Sequence, residues 1–250
     1  MRELLDMWRY TKMVVLVGLA AGLYAAVLIP FKPITIIPGF TEIRPAAVLP
    51  VVFSLLFGPA AAWGSAFGNI IGDFFGTLGL GSIFGAIGNF LYGYIPYRLW
   101  RRLSAGQPVI RSGRGLLVYL LAVIPACIAC GVFIGWGVDL LGLVPFAALA
   151  NIILVNNLLV SLILGPILLS VLVPRVKRWG LAYGDIMEME PVSSVRLGGV
   201  GHLLLWLGVI GGLAVGNALS FSLLPGLLKG AVGVGVAPFI ALIIIGAFLV

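Results

Sequence analysis

Apolar runs recur along the whole chain and are separated by short polar or proline-rich connections. A helix crossing a ~30 Å hydrocarbon core needs roughly 20 mostly apolar residues. Measured against that length, the pattern predicts eight spans at residues 13–29, 46–57, 60–75, 83–100, 116–138, 146–173, 200–224 and 232–250. The second is short, and Phe57-Gly58-Pro59 reads as a tight turn into the third. Gly165-Pro166 interrupts the sixth, and a proline there removes a backbone donor, which favours tilt or a bend. The fold class is therefore an all-α polytopic membrane protein.

Within the third span a second pattern is superimposed on the first. The stretch WGSAFGNIIGDFFG places glycine at 64, 68, 72 and 76, with Ser65, Asn69 and Asp73 repeating at the same interval beside it. The fourth span continues the spacing with Gly81, Gly85, Asn89 and Gly93. Helices gain little hydrophobic energy by meeting in lipid, so small residues that allow close backbone approach mark their interfaces. A glycine face is thus expected to pack inside a bundle, and the adjoining polar face to bond within it or to line a cavity.

Composition agrees with the pattern: the chain is 62% hydrophobic and only 9% charged, against about 25% charged in soluble domains. The charges also sort by side. Of the 15 Lys and Arg, only Lys32, Arg44 and Lys229 fall on one set of connections, and the remainder, among them Arg111 and Arg196, fall on the other. By the positive-inside rule both termini are cytoplasmic. The net charge of +7 then records topology and gives no argument for nucleic-acid binding. The first span reads as retained, with no small-residue cleavage site after it. The polar stretch KRWGLAYGDIMEMEPVSSVR divides the chain into a six-span module (1–176), a cytoplasmic linker (177–197) and a two-span C-terminal extension (198–250).

Polar residues at membrane depth are costly and mark cavities, partners or function. Here they gather toward the outer ends of the spans. Asn69 and Asp73 lie on the third, Asn89 on the fourth, Trp136 and Asp139 close the fifth, and Asn151, Asn156 and Asn157 lie on the sixth. Two readings stand, a set of amides fastening the bundle and a polar cavity open to the outside. The connection FKPITIIPGFTEIRP adds Lys32, Phe40, Glu42 and Arg44 on a proline-stiffened loop, suited either to closing over a ligand or to meeting lipid headgroups. Phe31, Phe40, Tyr92 and Trp136 are candidates to stack a heteroaromatic ring. No phosphate-binding GxxxxGK[ST], HExxH or GxSxG motif occurs, and Cys127 and Cys130 lack a second ligand pair, which argues against an enzyme. His202 reads as an interfacial residue.

The order GLAAGLYAAVLIPF, a loop, IRPAAVLPVVFSLLFGPAAAWGSAFGNIIGD and then LGPILLSVLVPRVKRW resembles the substrate-binding membrane subunit (S component) of energy-coupling factor (ECF) transporters, over roughly residues 13–180. The resemblance implies a six-helix bundle that captures one small nutrient, a vitamin or vitamin-like precursor, near the external face of a prokaryotic cell membrane. The first external loop, here 31–44, would act as its lid. It implies a transmembrane coupling subunit and two ATPase subunits as partners, with ATP used by those subunits and no cofactor in this chain. The family's small-residue motif for the coupling subunit maps onto Ala21 and Ala25, with Gly18, Gly22 and Ala26 alongside. The last two spans depart from the six-helix pattern and form an added hairpin. A self-contained secondary carrier and a non-transporting membrane scaffold are the alternatives.

Overall fold

The computed structural model describes residues 2–104, 108, 110, 112–187, 198–223 and 232–250. Arg111, Arg196, Lys229 and the part of the linker from 188 to 197 lie outside them. A helix occurs at each of the eight expected places. A short α1 (Arg2–Asp6) precedes α2 (Thr11–Leu28), α3 (Val48–Phe57), α4 (Pro59–Asp73), α5 (Gly81–Leu103), α6 (Gly113–Leu140) and α7 (Phe146–Arg178). After a one-turn α8 (Tyr183–Ile186), α9 (Gly198–Ser220) and α10 (Val232–Leu249) complete the fold. Among the described residues five helical segments are long and apolar enough to cross a membrane, those containing α2, α6, α7, α9 and α10. The chain is an all-α polytopic membrane protein.

Helices α2, α4, α5, α6 and α7 pack in succession, and the short α3 sits against α4, α5 and α7. Nearly every side chain of α3 is buried, including Ser54, whose hydroxyl accepts from the Tyr97 backbone N–H at 3.0 Å. Gly58, at φ 55°, makes the turn from α3 into α4, and the Tyr183 ring of α8 lies where a Cβ would stand. Three glycines of the stripe do what their spacing predicts, and Gly76 does not, because α4 ends at Asp73 and Gly76 stands beyond it at φ 136° with open space beside it. A Cβ at Gly64 would meet Ala20 Cβ at 2.6 Å, one at Gly68 the Ala21 carbonyl at 2.8 Å, and one at Gly72 the Leu28 side chain at 2.5 Å. This is the α2–α4 seam, and it turns the Ser65–Asn69–Asp73 face toward α5.

Three features add to or depart from the sequence reading. The 31–44 loop is not irregular: Thr35–Ile37 (β1) and Thr41–Glu42 (β2) pair antiparallel as a small hairpin, since Pro38-Gly39 supplies a turn with Gly39 at φ 77°. Helix α7 runs without interruption through Pro166, and Tyr119 fills the space above Gly165, donating to the Ser161 carbonyl at 2.6 Å. The N-terminal segment is also ordered into the bundle, with Glu3 buried between Arg98 and Arg101 of α5 and Trp63 Nε1 donating to the Leu4 carbonyl.

The C-terminal pair α9–α10 forms a tight hairpin that lies across α6 and touches α7. Gly208 and Gly246 allow its two backbones to approach closely. Its docking adds to the contacts with α5 and α7 that make α6 the most buried of the long apolar helices.

Candidate functional site

At the end of the bundle where the hairpin loop sits, here called the lid end, side chains from five segments form one polar network. From the lid come Lys32, Glu42 and Arg44, and from α4 come Asn69 and Asp73. The following turn supplies Thr77, α5 supplies Asn89, and α2 supplies Tyr24. Glu42 Oε1 lies 2.8 Å from Arg44 Nε and 3.3 Å from Lys32 Nζ. Lys32 Nζ is also 3.3 Å from Asp73 Oδ1, so it stands between two carboxylates. Thr77 Oγ1 donates to Asp73 Oδ1 at 2.8 Å and Asn69 Nδ2 to Asp73 Oδ2 at 3.0 Å. Asn69 Oδ1 accepts from Asn89 Nδ2 at 3.0 Å and from Arg44 Nη1 at 3.5 Å. The Tyr24 hydroxyl closes the chain on Asn89 Oδ1 at 2.9 Å.

All four charged side chains are buried, Glu42 completely and Asp73 to 4% exposure. Two cations face two anions, so the network is neutral as a whole, which is the condition for keeping ions out of water. Burial is the largest single influence and works against the Arg44 charge, but Glu42, Tyr24, Asp73 and Cys130 together outweigh it and hold the guanidinium above its ordinary range. Gly85 leaves the room this network needs, because a Cβ there would stand 2.9 Å from Asn69 Nδ2.

Beside the network is a cavity of about 300 Å³. Its polar lining is Arg44, Asn69, Asp73, Thr77 and Ser82, and its apolar lining includes Phe40 from the lid, Ile134 and Val138 from α6, and Leu149 and Ile153 from α7. This lining, mostly apolar with a few convergent polar groups, is the usual character of a small-molecule site.

The structure brings together seven of the expected substrate residues, Lys32, Phe40, Glu42, Arg44, Asn69, Asp73 and Asn89, and uses the rest elsewhere. Trp136 Nε1 donates to the Gly233 carbonyl at 2.8 Å and so fastens α10. Asp139 Oδ2 accepts from the Phe146 backbone N–H at 2.7 Å at the start of α7. Asn151 donates to the Asn217 side chain, fastening α9, and Asn156 Nδ2 reaches the Glu42 carbonyl at 2.8 Å, fastening the lid. Tyr92 is fully buried and bonded to Ser161, which makes it a core residue. Sequence reasoning missed Tyr24, Thr77 and Ser82. A phenol in the middle of an apolar span was a usable signal for the first, since a buried hydroxyl needs a partner.

On the outer surface of α2 the small residues divide. Ala21 and Ala25 are buried against the bundle, whereas Gly18, Gly22 and Ala26 are exposed, with open space beside both glycines.

No curated protein and no solved structure matches the chain. Residues 14–174 match the family model described as QueT transporter, and the match includes every residue that lines this cavity. On that match, which covers more than half of its length, the chain belongs to the QueT transporter family and is an S component of the energy-coupling factor type.

Proposed function

We propose that this protein captures a queuosine precursor, a small deazaguanine-type base, in the lid-end cavity for import across a prokaryotic cell membrane. The observation that carries the reading is the cavity itself. It is bordered by Gly39, Phe40 and Arg44 of the hairpin loop and has room for one compact bicyclic base, with both polar and apolar residues in its lining. Family membership supports transport of a small substrate. The apolar lining residues, Phe40 among them, suit the ring faces, and Arg44, Asn69 and Asp73 suit the polar edge. The lid faces outward in this reading, with both termini in the cytoplasm.

Uptake is driven by ATP hydrolysed in two separate ATPase subunits, joined to this chain through a transmembrane coupling subunit. The exposed Gly18–Gly22–Ala26 face of α2 is the surface offered to that subunit, since its open backbone permits close helix approach. Ala21, whose backbone lies against Gly64 and Gly68 of α4, supports the face from behind, and Ala25 is buried beside it. The test is native mass spectrometry of the gently purified protein. One co-purifying base at near equimolar ratio supports capture. An empty protein that takes up no deazapurine on incubation overturns it. Accumulation of the base in vesicles lacking any ATPase subunit would instead establish a self-contained carrier.

A further inference from the structure

The cavity's polar lining is chemically uneven. Arg44 can only donate, and Asn69 has its oxygen committed to Asn89 and Arg44 and its amide nitrogen directed to Asp73. Ser82 and Thr77 are neutral hydroxyls. Asp73 is thus the one anionic acceptor on the cavity wall among the described residues. Its present partners can be exchanged without stranding a charge. Lys32 has a second carboxylate, Glu42 Oε1, at the same 3.3 Å, and the Thr77 hydroxyl can turn. Glu42 Oε2 is buried without a hydrogen-bond partner and offers Lys32 a further acceptor.

We infer that Asp73 is the specificity-determining residue of the site. It accepts the ring N–H and the adjacent exocyclic amino group of a 2-amino-4-oxopyrimidine edge, while Lys32 shifts its pairing to Glu42. Arg44, in the same lining, donates to the ring carbonyl. This inference rests on the reading of the cavity as a base-capture site and adds the rule by which bases are distinguished. A carboxylate offers two acceptors side by side and so matches two adjacent donors; hydrogen bonds to a charged group are the stronger kind, and losing one discriminates steeply. The four lid-end charges already cancel, so the ligand enters as a neutral base, and a carboxylate-bearing vitamin would leave an unbalanced charge in a buried place.

The test uses the full-length purified protein and three probes, 7-deazaguanine, 7-deazahypoxanthine (no exocyclic amine) and 7-deazaxanthine (a carbonyl in place of the amine), with affinities from calorimetry. The wild type should bind 7-deazaguanine at least roughly tenfold more tightly than either of the others. Asp73→Asn presents one acceptor and one donor, which matches an N–H beside a carbonyl, so the variant should reverse the order and prefer 7-deazaxanthine. A misfolded variant cannot gain an affinity, and the wild-type comparison requires no variant. Equal wild-type affinity for all three probes, or an Asp73→Asn protein that keeps the wild-type order, overturns the role of Asp73 and leaves base capture standing. A wild type that binds none of the three overturns base capture itself.

Discussion

The two ends of the bundle solve the same electrostatic problem differently. At the terminal end Glu3 sits between Arg98 and Arg101, and at the lid end Glu42 sits between Lys32 and Arg44. Each acid fixes a segment lying outside the long helices, α1 in one case and the hairpin in the other. At the terminal end aromatic rings surround the charges. Tyr94 and Tyr97 meet edge to face at 5.4 Å, Tyr183 adds a third ring, and the Arg98 guanidinium lies 5.9 Å from the centre of the Tyr94 ring. At the lid end the surroundings are amides and hydroxyls, a second acid balances the second base, and a cavity opens beside them. A buried ion cluster therefore does not by itself identify a site. Exchangeable partners and adjoining space do.

The largest expected difference between the ends comes from removing the acid. Glu42→Gln leaves two buried cations with only Asp73 between them and should cost about 3–5 kcal/mol, as breaking buried pairs does. Thermal unfolding would show it, together with a loss of ligand binding. Glu3→Gln should cost less, about 1–2 kcal/mol, because Arg98 keeps its aromatic contact and Arg101 can extend toward the interface. Base affinity should stay within about twofold of wild type, since Coulomb effects of an exchanged charge fade over the length of the bundle. Should Glu3→Gln abolish binding, the division between staple and site fails.

Smaller effects sharpen the contrast. Asn217→Ala removes the Asn151 partner at the α9–α7 contact and should destabilise by about 0.6 kcal/mol, the average for hydrogen bonds within membranes, measured by unfolding in detergent. The smallest effect belongs to Gly18→Ala, whose new methyl meets open space. Stability and base affinity should not change measurably, and a fall in uptake by intact cells would then report on a partner at that face.

Much of this architecture was legible in the residue pattern, for identifiable reasons. Span positions follow from hydrocarbon thickness, which is a property of the solvent and not of tertiary context. The Gly64–Gly68–Gly72 seam was readable because a glycine stripe can do little in lipid except admit a neighbour. Asn69, Asp73 and Asn89 came together because they share faces of adjacent helices joined by a short turn. Trp136, Asp139 and Asn151 could not be sorted in the same way. Their partners, Gly233, Phe146 and Asn217, are set by how the C-terminal hairpin docks and how α7 begins, and neither is encoded in local periodicity. The same holds for α2, where Gly18 and Ala21 are three positions apart yet one faces outward and the other faces α4.

Helix α3 has only ten residues, a rise of about 15 Å, or half the hydrocarbon thickness. Just ahead of it in the chain lie the lid and its buried ions, bonded to Asn69 and Asp73 of α4 and to Asn156 of α7. Dissolved ions cannot approach such charges closely, and buried pairs are screened far less than exposed ones. Ionic strength should therefore have little hold on these ion pairs. As the Debye length shrinks from ~30 Å at 0.01 M to ~3 Å at 1 M salt, the exposed Arg9–Asp6 pair would loosen, while the Lys32–Glu42–Arg44 clasp and the affinity for a neutral base would hold nearly constant across brackish, dilute and concentrated media alike.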